Sequence, residues 1–537
     1  VTGTNGTNVT VSDSMVTNNW AASEGGGLWN NVGSTLTVMD SVISGNAARG
    51  AGADNGGGGL FNNGGTMVLS DVDVTDNRAS GASGSGGGLL TTDGMVTITD
   101  STFDMNTASR AGGGIEIIDG GLDIADSALT NNRTASSEGG GLWNNAGSTM
   151  TVTDSMVSGN TAAGMGADNG GGGLFNNGGT MVLNGVDLMD NRASQGSGSG
   201  GGLLSTDGDV TINDGSFEGN TARWAGGAIE IIEGDLTIDG TGFTDNMTGP
   251  VPGNGGAIHI TGAADSEIME ANFTGNYASA EGGAVWNSAT GTMAISGTVF
   301  MNNTANGTAD AEQGGGAVFS NGGDTMLSEV TISDNTANRG TGPGILGVDD
   351  AMITVSDSMI SDTSVVLGAM GDTIMGGSGS DGLRGSDGMD SVSGGMGDDR
   401  LFGLSGDDMI MGDAGDDMLY GNAGADMLTG GDGMDSFVYF ATSDSPVMEG
   451  RMDMITDFMS GDDMIDLSRI DADTSAAGDQ AFMFICDSAF SGTAGELSYA
   501  MMGGETVVMG DTDGDAMADF QVSLTGSVML TQDDFLL

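Results

Sequence analysis

The chain is poor in the residues on which disulfide-rich proteins and many enzymes depend. Its 537 residues include one cysteine, Cys486, one histidine, His259, four prolines and no lysine. A single cysteine cannot form an intrachain disulfide bond, and the sequence has no run of about 18 apolar residues that could span a membrane. It also begins without a methionine or a signal peptide, so we expect a processed product or a fragment.

Positive charge is equally scarce. The 74 aspartates and glutamates outnumber the 11 arginines, and the formal net charge is -63 at pH 7. Such a polyanion repels nucleic acid, which is therefore excluded as a partner. It also repels itself unless cations neutralise it, so the composition favours an extracellular, ion-loaded protein over a cytosolic enzyme.

Aspartate recurs at every ninth residue through eight consecutive nonapeptides at 367–438. An apolar side chain follows each aspartate by two residues, as Leu383 follows Asp381 in the unit GGSGSDGLR. Glycines permit a tight turn that exposes carbonyl oxygens, and the residues around the apolar side chain form a short strand. The pattern predicts a parallel β-roll in which two nonapeptides make one coil. A flexible glycine-rich linker would not hold aspartate and an aliphatic residue in fixed phase.

The roll geometry predicts a calcium site between stacked turns. Each turn lies over the turn two repeats later, so Asp381 would share an ion with Asp399, and roughly six such pairs are expected. Carboxylate and carbonyl oxygens in a flexible arrangement suit Ca²⁺ better than Mg²⁺. We expect the first unit, LGAMGD, to bind poorly. The predicted ligand positions are Asp372, Asp381, Asp390, Asp399, Asp408, Asp417, Asp426, Asp435, Gly376, Gly377, Gly379, Gly394, Gly395, Gly397, Gly403, Gly412, Gly421 and Gly430.

The first two thirds of the chain carry a different repeat. An asparagine recurs every 26 to 32 residues, and a glycine cluster and an alternating apolar stretch lie between successive asparagines. This period predicts an all-β domain at 1–362, a right-handed parallel β-helix of about twelve coils with about three strands each. The asparagine side chains are expected to bond to the coils above and below as an internal ladder. These residues are Asn19, Asn46, Asn77, Asn106, Asn132, Asn160, Asn191, Asn220, Asn246, Asn276, Asn303 and Asn335.

A longer repeat is superimposed on the coils. Residues 23–135 return nearly unchanged at 137–249, an offset of 114 residues, with Trp29 matching Trp143. Such a duplication lengthens a scaffold without creating a new pocket. The GGAI and FxxNxA segments of 1–362 resemble the β-helical passenger regions of bacterial surface proteins, including adhesins. That resemblance implies an extracellular scaffold or an adhesive shaft.

The remainder of the chain resembles type I secreted proteins. The nonapeptides match the RTX (repeats-in-toxin) pattern GGxGxDxUx, and the segments at 453–472 and 510–520 resemble the carboxy-terminal region of serralysins. The resemblance implies a calcium-binding roll at 363–440 and a small β-rich region at 441–537 that carries an uncleaved export signal. It also implies the type I secretion machinery as a partner, a secreted or cell-surface location, and folding that waits for external calcium.

A second calcium site is suggested by GDTDGDAMADF. Asp511, Asp513 and Asp515 occupy positions 1, 3 and 5 of a loop similar to an EF-hand. The match is partial, because Ala516 replaces the required glycine and Val522 the bidentate glutamate. A β-turn with solvated aspartates explains the segment equally well.

The rival interpretation is a polysaccharide-active enzyme, because alginate C5-epimerases also join a β-helix to RTX modules. We nevertheless expect no catalysis. The residues give little support for catalysis, since His259 is the only histidine and lysine is absent. His259 is expected to face solvent at the strand position that Glu116 and Glu230 occupy in other coils. The tryptophans are expected to pack at turns rather than to stack on sugars.

The sequence thus predicts a secreted, calcium-binding structural or adhesive protein. Self-association is also expected, because the first coil lacks a cap and its open edge could pair head to tail with another copy in a filament or surface layer. Two alternatives stay open: a noncatalytic adhesin that binds a cell-surface glycan, and a β-helical epimerase or lyase.

Overall fold

The structure is a computed structural model of the chain. It describes residues 6–52, 55–166, 169–250, 252–288, 290–307, 313–340, 342–348, 351, 353–356, 358–360, 365–366, 373–377, 379–385, 388–447 and 451–537. The chain forms two compact units, the first comprising Val1–Phe319 with Asp334–Pro343 and the second Ser320–Ser333 with Gly344–Leu537.

Parallel β-helix coils make up the first unit and also include the strands of Ser320–Ser333 and the first strands after Gly344 in the second. Their clearest marker is a sheet of twelve very short parallel strands, one from each coil and each directly following one of the predicted ladder asparagines. The predicted number of coils is therefore confirmed. These strands are Trp20–Ala21, Ala47–Ala48, Arg78–Ala79, Thr107–Ala108, Arg133–Thr134, Thr161–Ala162, Arg192–Ala193, Thr221–Ala222, Met247–Thr248, Tyr277–Ala278, Thr304–Ala305 and Thr336–Ala337.

A second set of strands follows the glycine clusters. In each, a buried aliphatic residue fills the interior, and the clusters approach the neighbouring coil closely: a Cβ on Gly113 would lie 2.2 Å from the Gly140 carbonyl oxygen. The strands are Leu28–Asn31, Leu60–Thr75, Leu89–Thr99, Ile115–Ile117, Leu142–Asn145, Leu174–Asn177, Leu203–Asp207, Ile229–Ile231, Ile258–Ile260, Val285–Asn287, Val318–Asn321 and Ile345–Val348.

The alternating stretches form the third and fourth strand segments of a coil. Several continue directly from the preceding segment, so Leu60–Thr75 and Leu89–Thr99 are long. The separate third segments are Asn8–Ser12, Thr35–Ser44, Gly121–Ala125, Thr149–Thr153, Thr180–Asn184, Val210–Asn213, Leu236–Asp239, Asp265–Met269, Thr292–Ser296, Asp324–Ser328 and Ile353–Ser356. The fourth are Met15–Thr17, Thr102–Asp104, Ala128–Thr130, Met156–Ser158, Asp187–Met189, Ser216–Glu218, Gly242–Thr244, Asn272–Thr274, Val299–Met301, Thr331–Ser333 and Met359–Ile360.

Four segments per coil exceed the three that the sequence predicted. The difference arises at residues in the left-handed region, such as Asp100, Asp126 and Asp154, whose φ values lie between 45° and 49°. Aspartate tolerates this conformation better than most residues, and here it bends the alternating stretch into two strands.

The interior of the β-helix is closely packed. Phe217, Phe243, Phe273 and Phe300 come from successive coils, and their ring centroids are 4.6 to 5.0 Å apart. This distance equals the spacing between parallel strands, so each ring covers the next one and excludes water.

The second unit contains the roll. Its two sets of parallel strands pair each nonapeptide with the one two repeats later, as Leu383 pairs with Leu401 and Val392 with Ile410. The predicted apolar residues point inward and are fully buried. The strands are Val365–Val366, Thr373–Met375, Gly382–Arg384, Ser391–Met396, Arg400–Ser405, Met409–Ala414, Met418–Ala423, Met427–Asp432 and Ser436–Val438.

The chain then continues into a β-rich carboxy-terminal part. An antiparallel meander of Glu496–Met502, Glu505–Asp511 and Phe520–Leu524 joins one roll sheet, and the short 3-10 helix Gln532–Asp534 precedes the final strand. The other strands are Asp453–Ile455, Met464–Asp466, Met483–Phe484 and Phe535–Leu536. The described residues include no helix long and apolar enough to cross a bilayer.

Candidate metal centre

The aspartates of the nonapeptides form two buried columns. In each column, the backbone N–H of one aspartate donates a hydrogen bond to Oδ1 of the aspartate 18 residues later. The distance is 2.7 Å from Asp381 to Asp399 and from Asp399 to Asp417, and 3.0 Å from Asp417 to Asp435. The second column joins Asp390 to Asp408 in the same way. Coil stacking therefore brings together the pairs that the sequence predicted.

The second carboxylate oxygen has a different environment. Oδ2 of five aspartates of the nonapeptides is buried and has no hydrogen-bond partner among the described residues; these are Asp399, Asp408, Asp417, Asp426 and Asp435. A buried carboxylate oxygen without a partner costs several kcal/mol, roughly, unless a cation or a proton compensates it. Five equivalent cases in register point to a repeated cation site.

The turn glycines leave room beside these oxygens. A Cβ atom on Gly394 would lie 2.3 Å from Asp399 Oδ2 and 2.8 Å from the Gly412 carbonyl oxygen. A Cβ atom would likewise lie 2.3 Å from Oδ2 of the aspartate in the same repeat at four further glycines, Gly403, Gly412, Gly421 and Gly430. Glycine is therefore required there because any side chain would fill the space between a carboxylate and a carbonyl oxygen.

The other predicted glycines have supporting roles. Gly377 donates its N–H to Asp381 Oδ2 at 2.8 Å. Gly395 and Gly397 adopt φ values of +100° and +114°, which other residues rarely adopt. Cβ atoms on Gly376 and Gly379 would lie 2.1 Å and 3.7 Å from carbonyl oxygens. Asp372 lies outside the described residues. The expectation that the first unit binds calcium poorly concerns that residue and stays a prediction.

Burial shifts the ionisation of both columns. It raises the pKa of Asp399, Asp408 and Asp435 from 3.8 to about 7, and that of Asp417 and Asp426 to about 6. Neighbouring carboxylates raise these pKa values further, whereas the hydrogen bonds from backbone N–H groups lower them. Without a cation, therefore, the columns hold protons close to neutral pH.

Both columns extend beyond the nonapeptides, which the sequence analysis missed. Asp426 N–H donates to Asp453 Oδ1 at 3.0 Å, and Asp435 N–H donates to Asp463 Oδ1 at 3.2 Å. Asp453 is fully buried, and burial raises its pKa to about 9. The ninefold register ends at Asp435, but each new aspartate still precedes an isoleucine by two residues, which is the signal that could have found them.

These residues fit calcium. The available donors are carboxylate and carbonyl oxygens at turns, and calcium accepts six to eight oxygens in flexible geometry. The carboxylates of each column and the carbonyl oxygens of the turn glycines would hold the ions. When bound, calcium would neutralise the columns and join successive turns.

The Asp511 loop is a weaker candidate. Carboxylate oxygens of Asp511, Asp513 and Asp519 lie within 4.8 Å of one another, whereas Asp515 is not part of this group. The Asp511 carboxylate already accepts hydrogen bonds from the backbone N–H groups of Asp513, Gly514 and Ala516. These bonds explain the loop as a closed turn.

The asparagines of the β-helix form a continuous hydrogen-bonded ladder. Asn160 is representative: its backbone N–H and its Nδ2 both donate to Oδ1 of Asn191 at 3.0 Å, and Nδ2 also donates to the Leu129 carbonyl oxygen. This pattern runs from Asn19 to Asn335. A partial hydroxyl ladder accompanies it, in which Ser101 and Ser127 donate backbone N–H groups to the serine of the next coil.

The expectation for His259 is wrong. His259, Glu230 and Glu116 are all buried, and His259 Nδ1 lies 2.8 Å from Glu230 Oε2 beneath the ring of Trp286. Stacking along the row contributes to this burial, since His259 lies against Trp286, and Arg110 contacts both Glu116 and Trp143. Trp143 is buried in the same row, whereas Trp20 is 65% exposed.

Comparison with known proteins agrees with both parts of the fold. Residues 350–537 match the model of the peptidase M10 serralysin carboxy-terminal family, and residues 201–381 match the right-handed β-helix region. The chain thus combines a right-handed parallel β-helix with an RTX-type, serralysin-like carboxy-terminal region. That combination implies a secreted RTX-type protein, and serralysin-type RTX regions typically bind calcium.

One solved structure also resembles part of the chain. It is the solution structure of the AlgE6R3 subunit from the Azotobacter vinelandii mannuronan C5-epimerase, with 26% sequence identity. The match covers 31% of this chain and 77% of that one, with a TM-score of 0.18. No curated protein matches the chain.

Proposed function

We propose that the protein is an exported, noncatalytic extracellular scaffold whose roll is folded by calcium. The observation that carries this proposal is the pair of aspartate columns, in which five buried carboxylate oxygens in register have no partner among the described residues. A structure of this kind is stable where calcium is abundant and poorly stable where it is scarce.

Calcium dependence also fits the route of export. A cytoplasm poor in calcium leaves the acidic repeats unneutralised, so the roll stays unfolded and the carboxy-terminal part can engage type I secretion machinery. Millimolar calcium outside the cell then folds the roll. The carboxy-terminal region that matches the serralysin family would provide the export signal.

The β-helix supports a structural role. Its interior is filled by aliphatic and phenylalanine side chains, and its coils are joined by hydrogen-bonded ladders. Strand pairing in its sheets is parallel and in register, so the same pairing can continue between copies placed head to tail. We therefore propose assembly into filaments or a surface layer.

The test uses the full chain, first in chelator and then with increasing calcium. Light scattering follows particle size, and electron microscopy shows morphology. Ordered polymers that form at millimolar calcium are the expected result. A folded protein that stays monomeric throughout would contradict the assembly, and turnover of uronate polymers would contradict the noncatalytic role.

A further inference from the structure

One side of the β-helix differs in charge from the rest of this acidic chain. The first residues of the short strands alternate between exposed arginine and half-buried threonine over six successive coils. We call this set the arginine column; it consists of Arg78, Thr107, Arg133, Thr161, Arg192 and Thr221. The residue that follows each member is buried and anchors the strand.

Among the described residues, the side chains of the column arginines take part in no ion pair. The described residues contain two ion pairs, Arg110 with Glu116 and His259 with Glu230. Arg78, Arg133 and Arg192 belong to neither. Asp76 and Asp190 lie two residues before Arg78 and Arg192, yet they form no ion pair with them. An unpaired guanidinium is a strong donor for carboxylate or sulfate.

The column ends in a groove of about 510 Å³. Its polar lining comes from Arg192, Ser194, Thr221 and Arg223, and Met247 is among its apolar lining. No carboxylate is among the described residues that line this groove. Two other grooves on the β-helix are acidic, one lined by Asp100, Asp126 and Asp154, so the difference in charge is local.

The spacing of the column suits an extended anionic chain. Coils repeat at about 4.8 Å, so arginines on alternate coils stand roughly 10 Å apart. A polysaccharide with one acidic group in each disaccharide presents charges at a comparable repeat, and the intervening threonines offer hydroxyl groups to the sugars between them. The more distant carboxylates are screened over about 8 Å at physiological ionic strength.

We propose that the groove and the arginine column bind an acidic polysaccharide. Arg192 and Arg223 hold one carboxylate or sulfate group in the groove, and Met247 contacts the apolar face of a sugar ring. Arg133 and Arg78 hold further acidic groups along the column. This inference adds a ligand class to the proposed scaffold, and it does not depend on the calcium site.

The test measures binding of the full chain in millimolar calcium to hyaluronan oligosaccharides, with neutral dextran as the control ligand. The groove variant R192Q/R223Q is expected to lose affinity by about tenfold or more, because two charge-assisted contacts disappear. The variant R384Q/R451Q removes the same charge from exposed residues elsewhere and is expected to bind like the unmodified chain. R192K/R223K is expected to retain part of the affinity.

Two results would overturn the proposal. One is equal loss of affinity in the groove variant and in R384Q/R451Q, which would show a nonspecific charge effect. The other is altered self-association of R192Q/R223Q in light scattering while hyaluronan does not bind, which would make a second copy the partner. Calcium-dependent folding is measured on the same samples, so failure here is distinguishable from failure of the scaffold proposal.

Discussion

At the residue scale, each aspartate of the roll has two tasks. Its Oδ1 accepts a backbone N–H from the turn 18 residues earlier, which fixes the register of the coils. Its Oδ2 lies beside a turn glycine and a carbonyl oxygen, where calcium would bind. A substitution can therefore remove the role of one oxygen and keep the role of the other.

Asp408→Asn separates the two roles of the carboxylate. Asparagine keeps an oxygen that accepts the Asp390 N–H, and it loses the negative charge that would bind calcium. We expect calcium affinity to fall by about tenfold or more at the affected turn, with little change in the calcium-free protein. Isothermal titration calorimetry measures this change. The control is Asp407→Asn, which alters an exposed neighbouring carboxylate; equal effects of both variants would contradict the assignment.

Gly412→Ala tests the space beside the carboxylate. The new Cβ would lie 2.3 Å from Asp417 Oδ2 and 2.4 Å from the Gly430 carbonyl oxygen. We expect a loss of about 1–3 kcal/mol of stability in calcium, measured by denaturant unfolding. Gly382→Ala is the matched control, because nothing lies within 4 Å of its Cβ. If Gly412→Ala proved as harmless as the control, the assignment of a calcium site beside Gly412 would be wrong.

The pKa values predict opposite effects of pH with and without calcium. Burial raises the pKa of Asp399 and Asp408 to about 7, so the folded calcium-free roll holds protons that the unfolded chain loses near pH 4. These carboxyl groups contribute fully to the stability of the calcium-free roll below about pH 4, and their contribution is lost as the pH rises through about 7.

Thermal melting of the full chain tests the direction of this pH effect. In chelator, the roll is expected to show a cooperative thermal transition near about pH 5 and none near about pH 8, where the ionised columns leave it unfolded. In saturating calcium, which binds the ionised carboxylates, the roll is expected to melt at both pH values and at the higher temperature near about pH 8. The same order in both conditions would show that the columns do not bind the ion.

At the element scale, the asparagine ladder is the main side-chain link between coils. Asn191 makes four hydrogen bonds through its side chain, to Val157, Asn220 and the backbone and side chain of Asn160. All of these groups are buried. Removing the amide therefore leaves buried backbone groups without partners.

Asn191→Ala is expected to lower the free energy of unfolding of the β-helix by roughly 2–4 kcal/mol. Asn213→Ala is the control, since the Asn213 side chain is half-buried and donates one hydrogen bond, to Asn184; about 0.5 kcal/mol is expected. Urea unfolding followed by circular dichroism compares the two. Similar losses in both variants would contradict a special role for the ladder.

Periodic features of both elements could be predicted from the sequence. The ninefold aspartates and the recurrent asparagines gave the roll and the number of coils, because each coil repeats the same local chemistry. Features outside the period were missed. Asp453 and Asp463 lie 27 and 28 residues after their column neighbours, and His259 is buried between Trp286 and Glu230 of the neighbouring coils.

At the scale of the whole molecule, the negative charge links folding of the roll to cations. A net charge of -63 disfavours compaction until cations arrive, and the buried aspartate columns concentrate the response in the roll. The described part of the β-helix has no buried aspartates: those stacked on its successive coils, such as Asp100, Asp126 and Asp154, are exposed, and its stability comes from the apolar interior and the ladders. Calcium should therefore act on the roll and leave the β-helix folded.

Hydrogen–deuterium exchange of the full chain, with and without calcium, tests this central claim most directly. We predict that amides of the roll strands between Gly382 and Val438 are protected only in calcium, whereas amides of the β-helix ladder strands are protected in both conditions. Equal protection of the roll in chelator and in calcium would contradict calcium-dependent folding.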